Sequence, residues 1–408
     1  MSTTQVSEAG TLKQAAQDYW AKVKTGDIGP LAAILGLVVL CIVFGSMSPV
    51  FLTQGNFANL LTQAAAVIVI AMGLVFVLLI GEIDLSAGYA SGVCSAVLVI
   101  LVTKNDQPWY VALTASIIVG CVLGYLIGIL VARLGIPSFV VTLASFLAFQ
   151  GILLLLAGEG GTIRIEDKTV LAIENSNLSV SASWLFFIVV SAIYFLSGLA
   201  RINSRRKAGL KTELKKLWLI KTLALIGASG LAVLTLNLER SNNPDLVSLK
   251  GIPYVVPLIL AILVVGTFVL DRTAFGRHIY AVGGNAEAAR RAGINVKRIR
   301  IACFMICSGL SAIAGLIFAS RQNSVSPTTG GSSTLLYAVG AAVIGGTSLF
   351  GGKGKVRDAI LGGLVVAVID NGMGLLGYAA GIKFIVTGLV LLTSASVDAI
   401  SRRGVANS

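Results

Sequence analysis

Few side chains in this sequence could do chemistry, and most of those stand at breaks in apolar runs. Glu82, Asp84 and Ser86 alternate in Gly81-Glu82-Ile83-Asp84-Leu85-Ser86, and Asp370-Asn371-Gly372 interrupts a second apolar stretch. Carboxylates beside a glycine break suit two arrangements. In one, the helix unwinds and the freed backbone groups, with the acids, line a polar path for a hydroxylated solute. In the other, Asp84 caps the helix that begins there, Glu82 sits at headgroup depth, and Asp370-Asn371 ends a span. Glu82, Asp84, Ser86, Asp370 and Asn371 are thus the candidate pore-lining residues. The other reactive groups exclude more than they offer. His278 is the single histidine, which leaves no basis for a histidine metal site or a Ser-His-Asp triad. Cys303 and Cys307 share a helix face with no histidine nearby and read as small packing residues. Cys41, Cys94 and Cys121 also lie in apolar runs, so no disulfide framework is indicated. Thr347 to Gly354 comes nearest to a P-loop but lacks the first glycine and the Ser/Thr after Lys353. No catalytic residue, metal or cofactor is expected, and ATP-driven work would need a nucleotide-hydrolysing partner.

The stretch from Arg277 to Arg300, RHIYAVGGNAEAARRAGINVKRIR, is the longest charged interval with readable helix signals. Gly283-Gly284 breaks the chain and Asn285 can cap the free N–H groups that follow. Ala286, Glu287, Ala288, Ala289, Arg290, Arg291 and Ala292 favour helix, and Gly293 offers a left-handed stop. Glu287 in the first turn and Arg290 and Arg291 in the last suit the helix dipole. Two turns are too short to be stable alone in water, so a partner outside the membrane must hold this helix.

The elements around these residues are apolar. Hydrophobic residues make up 56% of the 408 and charged residues 12%, against about 25% charged in a soluble domain. Apolar runs fall at 31–47, 58–80, 84–103, 110–132, 138–157, 184–200, 217–238, 253–270, 299–319, 334–350, 359–376 and 382–399. The fold class is therefore all-α: a polytopic transmembrane helix bundle of ten to twelve spans, including broken or re-entrant helices. The net charge of +13 needs no nucleic acid, because cytoplasmic loops collect Lys and Arg. The 201–216 and 271–300 connections, Lys353-Lys355-Arg357 and Arg402-Arg403 are basic, whereas 158–183 is acidic. Twelve crossings make these signs consistent, with both termini cytoplasmic. Residues 1–30 form a cytoplasmic tail, either frayed or an interfacial helix built on Leu12, Ala15, Ala16, Tyr19, Trp20 and Val23. Residues 31–403 form one transmembrane domain in the lipid bilayer, and 404–408 a short tail. Residues 80–88 echo 344–352; if these are repeats, both copies should line a central pore. Ionisable groups within the runs are few, and Lys221 and Lys383 can snorkel to an interface. No facing acid–base chain is apparent. An ion-coupled secondary transporter is the alternative reading.

The chain resembles the permease subunits of ATP-binding-cassette sugar importers of the ribose and xylose class. The resemblance runs from about residue 31 to 403. It rests on GEIDLSAG (81–88), IPSFVVTLASFLAFQGI (136–152), FGRHIYAVGGNAEAARRAGINV (275–296), VIGGTSLFGG (343–352) and DNGMGLLG (370–377). Glu82, the basic 201–216 insertion with its extra apolar run, and DNGM at 370–373 look most similar to xylose permeases. The resemblance implies a homodimer of permease chains in the bacterial inner membrane, two cytoplasmic ATPase subunits, and a periplasmic sugar-binding protein. Asn285 to Gly293 would be the coupling helix that sits in a cleft of the ATPase, with Arg290 and Arg291 pairing with its acids. The same machinery in related importers moves other small solutes, so the sugar is an inference from resemblance.

Overall fold

Every one of the twelve apolar runs becomes a helix. The computed structural model describes residues 31–158, 161–209 and 215–406, with side chains up to residue 396. The interfacial helix expected near 12–23 lies outside them. In chain order the apolar helices begin with α1 (Leu31–Met47), α2 (Gln54–Leu79), α3 (Ala87–Thr103), α4 (Trp109–Ala132) and α5 (Ser138–Ala157). A two-residue strand β1 (Ile163–Arg164) and a short helix α6 (Lys168–Asn175) follow, then α7 (Val180–Lys207), α8 (Lys215–Asn237) and α9 (Val255–Arg272). Two polar helices, α10 (Ala274–Gly284) and α11 (Ala286–Arg291), lead into α12 (Val296–Gln322). Strand β2 (Ser324–Val325), α13 (Ser332–Ile344), α14 (Val356–Leu375) and α15 (Ala380–Ala406) complete the order. Among the described residues, 8 helices are long and apolar enough to cross a membrane: α2, α4, α5, α7, α8, α9, α12 and α14. Helices α1, α3, α13 and the described part of α15 are apolar but shorter. The two short interior ones, α3 and α13, each adjoin a glycine break, at 80–86 and 345–355, which is where broken helices were expected.

Residues 31–176 and 253–399 form one compact unit. Its centre is α2, wholly buried from Ile68 to Leu79, and α12, which packs against α2, α3 and α4. The α4–α12 seam is made by glycines one turn apart. A Cβ at Gly120 would come within 2.6 Å of the Ser308 carbonyl oxygen, and one at Gly124 would strike the Phe304 carbonyl. Small residues at this spacing let two helix backbones touch where lipid offers no hydrophobic drive to pair them. At the end of α12, β2 pairs antiparallel with β1, Ile163 opposite Val325. There α6 docks on α12: the Ser320 hydroxyl donates to the Leu171 carbonyl and accepts from the Glu174 N–H, each at 3.0 Å.

Residues 177–252 belong to a second unit. It is a hairpin of α7 and α8, with Trp218 against Phe195 at 5.3 Å between ring centroids and against Gly198. Its closing loop winds on one carboxylate. Glu239 accepts from the N–H groups of Leu249 (2.9 Å), Ser241 (3.0 Å) and Arg240 (2.9 Å) and from the Ser248 hydroxyl (2.7 Å). Those donors, Leu249 first, hold its pKa down to about 2.

The glycine seam makes a direct prediction. Gly124→Val should destabilise the purified chain by about 1–3 kcal/mol through overpacking and so lower its Tm. Gly151→Ala, on an α5 face with nothing within 4 Å, should raise it slightly, since helix-interior glycine is worth about 0.5–1 kcal/mol less than alanine. Equal Tm values for the two variants would contradict a tight α4–α12 contact.

Candidate functional site

The polar helix read from sequence forms with both stops in place. Asn285 caps α11 through Oδ1, which accepts from the Ala288 N–H at 2.9 Å. At the other end Gly293 stands at φ +84°. Its N–H donates to the Arg290 carbonyl and the Ile294 N–H to the Ala289 carbonyl, both at 3.0 Å. That pair of bonds is a Schellman stop, and the left-handed residue favours glycine. Glu287 pairs with Arg290, and with Arg291 at 3.4 Å. All three are largely exposed, so these pairs add little stability. The alanines divide between two faces. Ala289 is buried, at 4% exposure, and Ala286 packs against the core, whereas Ala288 is exposed. The outward surface is therefore Glu287, Ala288, Arg290 and Arg291, and Ala289 points into the chain's own fold. Periodicity locates a face but not the neighbour that covers it.

Helix α10 mounts α11 on the bundle. Gly283 lies so close to the Leu79 carbonyl at the end of α2 that a Cβ would collide with it. The same Leu79 carbonyl accepts from the Gly352 N–H at 2.9 Å. The Tyr280 hydroxyl donates to the Gly354 carbonyl at 2.8 Å. Burial, with Asp271 and Asp358 nearby, pushes that phenol to about 12, so it stays a donor at any physiological pH.

The two echoing segments meet at this point. Gly81 (φ +75°) stands two residues past the end of α2, and a Cβ on Gly351 would lie 2.9 Å from the Gly81 nitrogen. Helix α5 holds the break from 80 to 86. The Ser138 hydroxyl accepts from the Ile83 N–H at 3.3 Å, and the Thr142 hydroxyl donates to the Ile83 carbonyl at 3.4 Å. Asp84 is fully buried, and its Oδ1 accepts from the Ser86 N–H (2.9 Å) and hydroxyl (2.6 Å). This turn precedes the helix, and Ser86 itself occupies the N-cap position of α3. Glu82 pairs with Arg300 of α12 at 3.1 Å, a partner that sequence spacing gave no means to find.

A second polar cluster lies at the far end of the same helices. Arg321 and Arg300 stand near opposite ends of α12, roughly 30 Å apart at 1.5 Å per residue, the thickness of the hydrocarbon core. Asn371 and Asn56 of α2 exchange amide hydrogen bonds, both 2.9 Å. Gln63 donates to Asp370 at 2.6 Å, and Lys383 of α15 pairs with Asp370 at 3.5 Å. Arg321 donates to Thr62 (2.8 Å) and Asn59 (3.1 Å) and lies 3.9 Å from Glu174. Lys383, expected to snorkel, therefore has an acid partner. The expectation that no acid and base face each other fails at Glu82–Arg300, Asp370–Lys383 and Glu174–Arg321, because each pair joins separate segments of the chain. Asp370 and Asn371 share a site with each other, and Glu82, Asp84 and Ser86 share another. The structure does not bring the two groups together. Asn56, Asn59, Thr62 and Gln63 form a polar stripe on the first turns of α2, legible as one-turn spacings had that span been read from residue 54.

The chain matches the family described as branched-chain amino acid transport system permease components over residues 56–395. It belongs to that family. Both polar clusters, α11 and its mount lie within the matched residues. Among curated relatives, the xylose transport system permease protein XylH of Escherichia coli K12 is 37% identical over 355 residues, 86% of this chain and 87% of that protein. XylH of Haemophilus influenzae is 32% identical over 383 residues, 94% of this chain and 99% of its own. The ribose import permease protein RbsC of H. influenzae is 28% identical over 366 residues, 90% of this chain and 92% of its own. No solved structure matches the chain. The family is a transport subunit rather than a catalyst, and the resemblance to xylose and ribose permeases read from the motifs holds.

Glu174 gives this site a pH signature. Its side chain is 1% exposed, and neither carboxylate oxygen has a hydrogen-bond donor among the described residues. Burial pushes its pKa up to about 8 against the opposing pull of Arg321. A carboxyl raised on folding stabilises most below its unfolded value, near 4.5, and that contribution is lost as pH rises through about 8. The Tm should fall across this window, and Glu174→Gln should flatten the fall. An unchanged slope in Glu174→Gln would contradict the buried placement.

Proposed function

We propose that this chain is the membrane-spanning permease subunit of an ATP-driven importer in the bacterial inner membrane. Its solute is a monosaccharide, xylose or a related pentose, handed over by a periplasmic binding protein. A second copy completes the pathway, and separate ATPase subunits hydrolyse the nucleotide. The observation that carries this reading is α11, a six-residue helix capped at both ends. It presents a charged outer face and is mounted backbone to backbone on the end of α2. A helix this short stores no purpose in its own stability; it serves as a rigid handle for another protein. Membership of a permease family and similarity to proteins named for xylose and ribose transport support the solute class.

In this mechanism ATPase closure displaces residues 285–293. The Gly283–Leu79 contact and the Glu82–Arg300 pair carry that displacement to α2 and α12, which tilt together. The break at Glu82, Asp84 and Ser86 opens at the near end. Asp370, Asn371 and Gln63 receive sugar hydroxyls at the far end, exchanging them for their mutual hydrogen bonds. Weak binding suffices along the path, because tight binding would slow release. The Asp370–Lys383 pair favours one second reading, a carrier coupled to an ion. Ion-gradient uptake by the lone chain in liposomes would support it.

The test uses the docking face. Ala288→Trp, on the exposed side, should abolish sugar-stimulated ATP hydrolysis by the co-purified complex while the protein stays in the membrane. Gly293→Pro should do the same, since proline cannot adopt the positive φ or donate to Arg290. Normal sugar-stimulated hydrolysis in both would overturn the assignment of α11.

A further inference from the structure

A cavity of about 530 Å³ lies between α11, the start of α12 and the end of α4. Its lining is apolar at Ala132, Ile294 and Val296 and cationic at Arg290, Lys297 and Arg300. No acidic side chain lines it. Two of the three cations are already answered: Arg290 by Glu287 and Arg300 by Glu82. Lys297 is exposed and has no anionic partner among the described residues. The cavity therefore combines apolar lining with one uncompensated positive charge.

Its depth is fixed by the helices that frame it. Ala132 is the last residue of the membrane-crossing α4, and Val296 the first of α12. The cavity thus opens where two spans leave the hydrocarbon, at headgroup level. A free phosphate would use the cationic lining and leave the apolar lining wetted. One carboxylate side chain from a docked protein would fill a small part of the volume. An amphiphile uses both surfaces.

We propose that this cavity holds the headgroup of an anionic phospholipid, with its phosphate at Lys297 and its glycerol and upper acyl carbons against Ala132, Ile294 and Val296. Basic pockets between transmembrane helices select anionic over zwitterionic lipid in this way. Because Ala286, on the core-facing side of α11, lines the same cavity, a bound lipid braces α11 from behind and fixes the angle of its outer face. The inference rests on the membrane-spanning fold alone and stands whether or not the solute is a sugar.

The test is native mass spectrometry of the full chain in nanodiscs of phosphatidylcholine with phosphatidylglycerol added. Wild type should retain phosphatidylglycerol. Lys297→Gln should lower its apparent affinity about fivefold, the factor one interfacial Lys or Arg contributes. Arg298→Gln removes the same charge one residue on, outside the cavity, and should change retention little. Equal loss in both variants would reduce the effect to general surface charge and overturn the site. Competition by inorganic phosphate as effective as by lipid would assign the cavity to a free anion instead. Unchanged lipid retention in Lys297→Gln, with weakened ATPase co-purification, would assign it to an acidic side chain of the ATPase and likewise overturn the proposal.

Discussion

At the foot of α2, three chain segments approach one another backbone to backbone, and only glycine permits it. Gly283 abuts the Leu79 carbonyl, Gly352 donates to that same carbonyl, and Gly351 touches Gly81. A side chain at Gly283 would wedge α10 away from α2. Because the contact has no flexible side chain in it, a displacement of α10 reaches α2 with little loss. Long side chains would absorb the same motion in rotamer changes. Packed interiors respond to such displacements as units rather than by gradual deformation.

From that node, α2 and α12 carry the architecture across the bilayer. Together with α14, also at 67%, they are the most enclosed of the long helices, with 78% and 67% of their apolar windows buried inside the fold. Helices such as α5 and α9 are buried over only 22% of theirs. Each end of the α2–α12 pair is closed by charge and amide groups, Glu82–Arg300 at one and Arg321 with Thr62 and Asn59 at the other. Intramembrane ion pairs are costly unless both members are satisfied, so their presence at both ends marks where the helices meet water or each other's polar groups. The far cluster also includes Gln63, Asp370 and Asn371, whose hydrogen bonds are the kind that sugar hydroxyls can replace.

Local features of this fold were legible in the sequence and distant ones were not. The cap at Asn285, the stop at Gly293 and the breaks at 80–86 and 345–355 depend on residues within a turn or two, and each formed where the residue types predicted it. The direction of Ala289 depends on α11's docking against other helices, which local propensity cannot specify. Gln63 and Asp370 are separated by 307 positions, and Glu82 meets Arg300 only because α2 and α12 run antiparallel. Lys383 at a span's edge fits snorkelling and pairing equally well; the helix that brings Asp370 beside it decides. Membership of the permease family was legible for the opposite reason, because five motifs in order constrain more than any one does.

In the proposed mechanism the glycine contact between α10 and α2 transmits the motion of the ATPase. Reconstituted complexes carrying Gly283→Ala, compared with Gly284→Ala where nothing lies within 4 Å, test it through the ratio of ATP hydrolysed to sugar transported. Gly283→Ala should raise the ratio, with hydrolysis continuing while uptake falls, and Gly284→Ala should keep the wild-type ratio. A wild-type ratio in Gly283→Ala would contradict it.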